Sequence, residues 1–83
     1  MQDYKYILYV KKGCSFCEKA ENFLKLKKIH FKSIYFDQNL KILEHLKDAY
    51  NWTTVPMVFE KNENNYVFVG GCTELTERQG DDE

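Results

Sequence analysis

Two hydrophobic patterns open the chain, one typical of a strand and one typical of a helix. Tyr6–Val10 (YILYV) is a short apolar run of aromatic and branched residues that ends at Lys11-Lys12-Gly13, which predicts a buried strand followed by a turn. From Ser15 to about Lys28 the apolar residues recur at helical spacing and charged residues occupy the opposite face. This segment is predicted to be an amphipathic helix.

The same two patterns follow in the middle of the chain. His30–Phe36 contains four apolar residues and predicts a second strand, which the polar segment Asp37-Gln38-Asn39 closes. Leu40, Leu43, Leu46 and Tyr50 then recur at helical spacing. We expect this second helix to end near Asn51, because asparagine tolerates the left-handed conformation common at helix C-termini.

The last third of the chain predicts a hairpin and a short helix. Val55–Phe59 and Tyr66–Val69 flank the polar segment 62–65, which is typical of two antiparallel strands joined by a turn. Gly70-Gly71 precedes Cys72–Gln79, which is long enough for about two helical turns. The acidic segment Gly80–Glu83 is expected to fray.

The predicted order of elements is therefore β-α-β-α-β-β-α, which indicates an α/β fold. The first two strands form a βαβ unit, so they should be parallel with a right-handed crossover. The hairpin adds an antiparallel pair, giving a four-stranded mixed sheet flanked by helices. A chain of 83 residues buries only about 60% of its unfolded surface, so residues 1–83 should form a single domain.

Composition and charge narrow the possible partners. Hydrophobic residues make up 43% of the chain, with six Tyr and six Phe, which is enough for a core without disulfide bonds. The net charge of −1 creates no field that attracts nucleic acid or an anionic membrane. No apolar run approaches the roughly 18 residues of a membrane span. We expect a soluble monomer without a signal peptide.

Three cysteines are too few for a secreted disulfide framework, and two of them form the pair Cys14-Ser15-Phe16-Cys17. This spacing indicates redox chemistry in a reducing compartment, the cytoplasm. The alternative is a zinc site completed by Cys72, His30 or His45. None of these three forms a second closely spaced ligand pair, so no metal is predicted, and both histidines are interpreted as structural or surface residues.

The predicted junction between the first strand and the first helix makes the two cysteines unequal. Cys14 lies at the helix start, where unpaired N–H groups, the helix dipole, Lys11 and Lys12 all favour a thiolate. Cys17 follows one turn later on the apolar face, within reach of Cys14 but shielded from solvent. Cys14 is therefore predicted to be the nucleophile and Cys17 the resolving thiol.

Three segments together resemble the signature motifs of glutaredoxins, in the order and at the spacing found in that family. They are Lys11–Cys17 (KKGCSFC), Thr53–Pro56 (TTVP) and Gly70–Glu74 (GGCTE). The resemblance covers nearly the whole chain and implies a thioredoxin-like fold. It also implies glutathione-dependent reduction of glutathione mixed disulfides and protein disulfides, with glutathione as co-substrate and glutathionylated or disulfide-bonded proteins as partners.

The resemblance also assigns residues to the glutathione site. It implies that Pro56 is cis and that Thr54 and Val55 contact glutathione, with the Val55 backbone pairing with its cysteinyl part. An ordinary trans proline at a strand start is the alternative. Lys11 resembles the lysine that pairs with the glycyl carboxylate of glutathione. Phe16 resembles the aromatic residue beside the thiol groove, and it could instead be a packing residue at the helix start.

The γ-glutamyl end of glutathione is expected near Cys72 and Thr73, at the start of the last helix. N–H groups there can receive a carboxylate, and the Thr73 hydroxyl either adds a hydrogen bond or caps the helix. Cys72 is more typical of a small buried apolar residue than of a third redox centre. Trp52 stands where many glutaredoxins have a basic residue, which puts one carboxylate contact in doubt.

Two other functions compete with the glutaredoxin reaction. A thioredoxin-like general disulfide reductase would use the same two cysteines, but this chain lacks a tryptophan next to the first cysteine and carries the Gly-Gly segment of a glutathione site. The second alternative is a protein that holds an iron–sulfur cluster between two subunits through Cys14 and glutathione. Ser15 keeps it open, because some glutaredoxins with serine after the first cysteine behave in this way.

Overall fold

Residues 4–36 and 40–79 are described by a computed structural model of the chain, and they form four strands and three helices. In order these are β1 (Tyr6–Val10), α1 (Ser15–Leu26), β2 (Phe31–Tyr35), α2 (Leu40–Ala49), β3 (Met57–Asn62), β4 (Asn65–Gly70) and α3 (Cys72–Arg78). No helix in this part of the chain combines the length and the apolar composition needed to cross a membrane.

The four strands form one mixed sheet in the order β2-β1-β3-β4. Strand β1 is parallel to β2, with Tyr6 opposite Phe31, and antiparallel to β3, with Tyr9 opposite Met57. Strands β3 and β4 are antiparallel neighbours joined through the pair Asn62 and Asn65. The predicted mixed sheet and order of elements are confirmed.

The element boundaries differ from the predicted ones by a few residues. Helix α1 ends at Leu26 rather than near Lys28, because Lys28 has a φ of 58° and the Ile29 N–H turns back to donate to the Leu24 carbonyl at 3.0 Å. Strand β3 begins at Met57, two residues later than predicted. Strand β3 extends to Asn62 and β4 begins at Asn65, so the turn is shorter than the predicted segment 62–65, and Glu63 lies in the left-handed region at a φ of 60°.

The prediction for the end of α2 is confirmed, because Asn51 adopts a φ of 53° just after the helix. The last helix ends at Arg78, one residue earlier than predicted. The predicted turn at Asp37-Gln38-Asn39 and the acidic segment Gly80–Glu83 lie outside the described residues.

The sheet separates two apolar clusters, because successive side chains of a strand point to opposite faces. One cluster joins the sheet to α1 and α3 and includes Leu8, Leu24 and Leu75, each fully buried. The other lies under α2 and is built on Phe36 and Leu43. Two helices thus cover one face of the sheet and α2 covers the other, with the β1–α1 junction at one end of the first cluster.

Candidate active site

Cys14 lies between the first strand and the first helix and caps that helix with its own side chain. Its backbone is extended (φ −99°, ψ 112°), and its sulfur accepts a hydrogen bond from the Cys17 N–H at 3.2 Å. The Cys14 carbonyl accepts from the Glu18 N–H at 3.0 Å, which begins the helical pattern. The sulfur therefore lies at the positive end of a 12-residue helix dipole, where negative charge is stabilised.

The turn before Cys14 has to bring the end of β1 round to the start of α1. Gly13 makes this turn with a φ of 71°, a conformation that side chains other than glycine's rarely adopt. Lys11 and Lys12 precede it and are exposed, so both contribute positive potential near the thiol from the solvent side.

Cys17 is only 2% exposed and lies in the first turn of α1. Burial and the hydrogen bond with Cys14 raise the pKa of the Cys17 thiol to about 12, although a hydrogen bond with the Lys11 backbone acts in the opposite direction. Cys14 is partly exposed, and all three cysteines are free thiols. The two thiols of the pair therefore differ in exposure, as predicted, and Cys17 remains protonated near neutral pH.

The loop before β3 lies next to the sulfur of Cys14. The Val55 carbonyl is 3.9 Å from the Cys14 sulfur, at the limit of an S–H···O hydrogen bond. The Val55–Pro56 peptide bond is cis, and Pro56 is fully buried. The Val55 carbonyl therefore lies close to any group bonded to the sulfur of Cys14.

A cavity of about 260 Å³ lies between this loop, the start of α1 and the start of α3. It is lined by nine residues: Phe16, Trp52, Thr54, Val55, Pro56, Gly71, Cys72, Thr73 and Glu74. The structure thus brings together, from three separate segments, every residue predicted for the glutathione site except Lys11.

Phe16 is 60% exposed and lines the cavity, so most of its side chain is open to solvent rather than packed at the helix start. Cys72 is 8% exposed, and burial raises the pKa of its thiol. It is a buried small residue of the first apolar cluster, and it also forms part of the cavity wall.

The start of α3 is capped differently from the alternative considered for Thr73. Gly71 is the N-cap residue and its N–H donates to the Glu74 carboxylate at 2.8 Å, while Thr73 is exposed. Gly70 has a φ of 135°, and a Cβ atom there would fall 2.7 Å from the Glu74 side chain. The Glu74 carboxylate therefore pairs with the N–H of the N-cap residue, Thr73 does not cap the helix, and Glu74 lines the cavity.

The cavity also includes Trp52 and Glu74, which the sequence does not predict as site residues. Both lie next to or within the family motifs, and that adjacency is the available signal. Their proximity depends on how the loop before β3 meets the start of α3, which residue spacing alone does not reveal.

Metal binding can be tested on the donor atoms that the structure describes. Within residues 4–36 and 40–79, no group of three or more His, Cys, Asp or Glu side chains is arranged to hold a metal ion. His30 and His45 are both exposed. The described part of one chain therefore does not supply the ligands of an iron–sulfur cluster by itself.

The fold and the dithiol at a strand–helix junction define a thiol–disulfide oxidoreductase with a thioredoxin-like fold. The family model described as Glutaredoxin matches residues 6–64, which is more than half of the chain. The chain therefore belongs to the glutaredoxin family.

Individual relatives agree with this assignment. The N-acetyl-S-hydroxy-L-cysteine reductase of Bacillus subtilis (strain 168) is 33% identical over 69 residues, covering 83% of this chain and 71% of the relative. A buckwheat glutaredoxin–glutathione complex has a similar fold, with a TM-score of 0.80 at 22% identity, covering 93% of this chain and 69% of that one. A dithiolic glutaredoxin of Trypanosoma brucei brucei reaches 0.73 at 26% identity, covering 93% and 80%.

Proposed function

We propose that this chain reduces glutathione mixed disulfides and protein disulfides, with glutathione as the co-substrate. The observation that carries the proposal is the unequal pair of thiols, with the accessible Cys14 at the helix start beside a cavity of about 260 Å³. A reaction of this kind requires a reducing compartment, and we propose the cytoplasm.

In the first step the Cys14 thiolate attacks the glutathione sulfur of a mixed disulfide. The bond between Cys14 and the glutathionyl sulfur forms while the original disulfide bond breaks, and the target thiol leaves as a thiolate that takes up a proton. The helix dipole at Cys14 stabilises the attacking thiolate, and the exposure of Cys14 gives it access to the substrate.

The second step can follow either of two routes. A glutathione thiolate attacks the glutathionyl sulfur on Cys14, which releases oxidised glutathione and restores the Cys14 thiolate. Alternatively, Cys17 loses its proton and attacks Cys14, which forms the intramolecular disulfide and releases glutathione. Since the pKa of Cys17 is about 12, the first route should dominate with small substrates near neutral pH.

We propose a contact with glutathione for several of the residues that line the cavity. Backbone groups of Thr54 and Val55 would pair with the peptide part of glutathione, and Thr73 and Cys72 would contact its γ-glutamyl end. Phe16 would cover the apolar part of the bound molecule. Lys11 does not line the cavity, so its contact with a carboxylate would be made from the solvent side.

The Bacillus subtilis relative favours a second candidate function, because its name describes reduction of an S-hydroxycysteine. In that reaction the Cys14 thiolate attacks the sulfur of R–S–OH, forming the Cys14–S–S–R bond and releasing hydroxide, which is protonated to water. Attack by Cys17 then releases R–SH and leaves the Cys14–Cys17 disulfide. Both functions use the same two thiols, and they differ in the bond that the first attack breaks.

A steady-state assay tests the first proposal. A glutathionylated cysteine peptide would be turned over with glutathione, glutathione reductase and NADPH, and in parallel with thioredoxin reductase replacing the glutathione system. Turnover only with glutathione would support the glutaredoxin reaction. Turnover with thioredoxin reductase alone would contradict it and favour a thioredoxin-like reductase.

A further inference from the structure

The indole nitrogen of Trp52 is a hydrogen-bond donor that the described residues leave without an acceptor. Trp52 packs edge-on against Phe68, with ring centroids 5.2 Å apart and planes at 77°, and it also lines the cavity beside Cys14. Its Nε1 is shielded from solvent, and no hydrogen-bond partner for it lies within residues 4–36 and 40–79. Buried donors are nearly always paired, so this one calls for an explanation.

One edge of the Trp52 indole lies beside the start of α3. A Cβ atom placed on Gly71 would lie 3.6 Å from Cζ2 of Trp52, which is bonded to the carbon that carries Nε1. The same position lies 3.6 Å from the Pro56 carbonyl oxygen and 3.5 Å from a Glu74 carboxylate oxygen. The indole edge therefore borders the cavity wall, although neither oxygen accepts from Nε1.

The charge of the cavity wall favours one kind of acceptor. Glu74 is the only charged residue among the nine that line the cavity, and it is acidic. A carboxylate placed between the Trp52 indole and Glu74 would be repelled by Glu74, whereas a neutral carbonyl oxygen at that position would not. The neutral indole N–H can donate to either group. The preference for a neutral carbonyl oxygen over a carboxylate therefore comes from Glu74.

We propose that Trp52 is a specificity-determining residue whose indole N–H donates to a neutral carbonyl oxygen of the small thiol bound at Cys14. Glu74 disfavours a carboxylate at this place. The preferred substrates are then disulfides of small thiols that carry an amide near the sulfur rather than a free carboxylate. The inference rests on the proposed disulfide exchange at Cys14 and deepens it by naming the substrate class. It requires a side-chain shift on binding, because Nε1 is closed to solvent.

Kinetics with a matched pair of substrates test this selectivity. The pair consists of peptide mixed disulfides of N-acetylcysteine amide and of N-acetylcysteine, which differ only in amide against carboxylate, with the glutathione mixed disulfide as reference. We expect kcat/KM to be at least about fivefold higher for the amide. Trp52→Phe keeps an aromatic ring but removes the N–H, and should lower kcat/KM for the amide about five- to tenfold relative to the acid, the effect of one lost hydrogen bond.

Neutral replacements of two acidic residues on α3 distinguish the effect of the Glu74 charge from the effect of removing any negative charge. Glu74→Gln retains an oxygen for the Gly71 N–H and should bring the two substrates closer in kcat/KM. Glu77→Gln removes an exposed acid that does not line the cavity and should leave their ratio unchanged. Thermal unfolding of Trp52→Phe measures the packing lost with the smaller ring, and the amide-to-acid ratio of kcat/KM isolates the N–H because that packing is lost for both substrates alike.

A spectroscopic readout follows the indole directly, since Trp52 is the only tryptophan. In Cys17→Ser protein trapped as a Cys14 mixed disulfide, the indole ¹H–¹⁵N signal should move downfield with the amide more than with the acid. Equal kcat/KM for the two substrates, or an unmoved indole signal, would overturn the inference while leaving disulfide exchange intact. No turnover of all three disulfides would overturn the proposed function and the inference with it.

Discussion

The backbone N–H of Cys17 donates to the sulfur of Cys14 at 3.2 Å, so one cysteine caps the helix turn that contains the other. This contact places both thiols in one hydrogen-bonded unit and gives them opposite environments. The sulfur of Cys14 accepts a hydrogen bond and is partly exposed, next to the cavity residue Val55, whereas Cys17 is buried. The different chemistry expected of the two thiols follows from this arrangement.

Serine variants of the two cysteines should therefore behave differently. Cys14→Ser should abolish all exchange, because a serine hydroxyl is far too weak an acid to replace the thiolate. Cys17→Ser should retain reduction of a glutathione mixed disulfide, since free glutathione resolves the intermediate, and should lose most reduction of protein disulfides. The measurement is steady-state turnover of both variants on both substrate types, coupled to glutathione reductase.

The informative comparison is the turnover of the glutathione mixed disulfide by the two variants. If Cys17→Ser were as inactive there as Cys14→Ser, the monothiol route would be excluded. An obligate dithiol cycle of the thioredoxin type would then describe the reaction better.

Alkylation should distinguish the three thiols in the unmodified protein. Burial raises the pKa values of both Cys17 and Cys72, and only a thiolate reacts readily with iodoacetamide. At pH 7 we expect Cys14 to be modified first, at least about tenfold faster than the other two, as followed by peptide mass spectrometry. Equal labelling of Cys14 and Cys72 would show that the wall of the cavity opens in solution.

Lys11 supplies positive charge beside the thiol from an exposed position. Lys11→Glu should lower kcat/KM for glutathione by the equivalent of about 1–3 kcal/mol, the range for a charge-assisted hydrogen bond to a carboxylate. Added salt should reproduce part of this loss in the unmodified protein. Lys32→Glu on β2 makes the same change of charge and serves as the control, and an equal effect of both variants would indicate only a general electrostatic contribution.

Glu60 should make the folded chain sensitive to acid. Burial raises the pKa of this carboxyl, but hydrogen bonds from Arg78 and Lys5 outweigh burial and hold the pKa below its usual value of 4.5. The unfolded chain therefore binds the proton more readily, so the stabilisation is present above pH 4.5 and is lost as the pH falls through the lower folded value. Glu60→Gln should lower the free energy of unfolding at pH 7 by about 1–2 kcal/mol.

The measurement for Glu60 is urea unfolding between pH 3 and pH 7. The variant should lose less stability than the unmodified chain as the pH falls over this range. Parallel pH profiles for both proteins would show that the carboxylate contributes nothing to acid sensitivity. Tyr6 also donates to Glu60, at 3.2 Å, so the variant should be checked for an intact near-UV spectrum.

Local patterns predict the fold because each helix and strand of this chain has its own hydrophobic periodicity. The run Tyr6–Val10 matches β1 residue for residue, and the parallel pairing with β2 follows from the helix between them. The ends of elements depended on details that spacing does not carry, such as the left-handed backbone at Lys28 that ends α1 early. The motif likewise predicts that the sequence neighbours of Cys14, Phe16 and Cys17, belong to the site.

The part of the site contributed by distant segments was harder to predict. The resemblance supplied Thr54, Val55 and Thr73 as site residues, but the relation between Trp52 and Glu74 arises where two loops meet. A tryptophan in place of a basic residue was visible in the sequence, and its unpaired N–H was not. Which oxygen, if any, an indole reaches is a property of tertiary packing.

The backbone of Gly70 limits how the cavity can change in evolution. Gly70 has a φ of 135°, and a Cβ atom there would fall 2.7 Å from the Glu74 side chain, so a single substitution would alter two properties at once. It would strain the backbone at the end of β4, and it would displace the carboxylate that caps α3 and lines the cavity. Variation in specificity is therefore more accessible through position 52 or 74, where a side chain can be exchanged without rebuilding the turn.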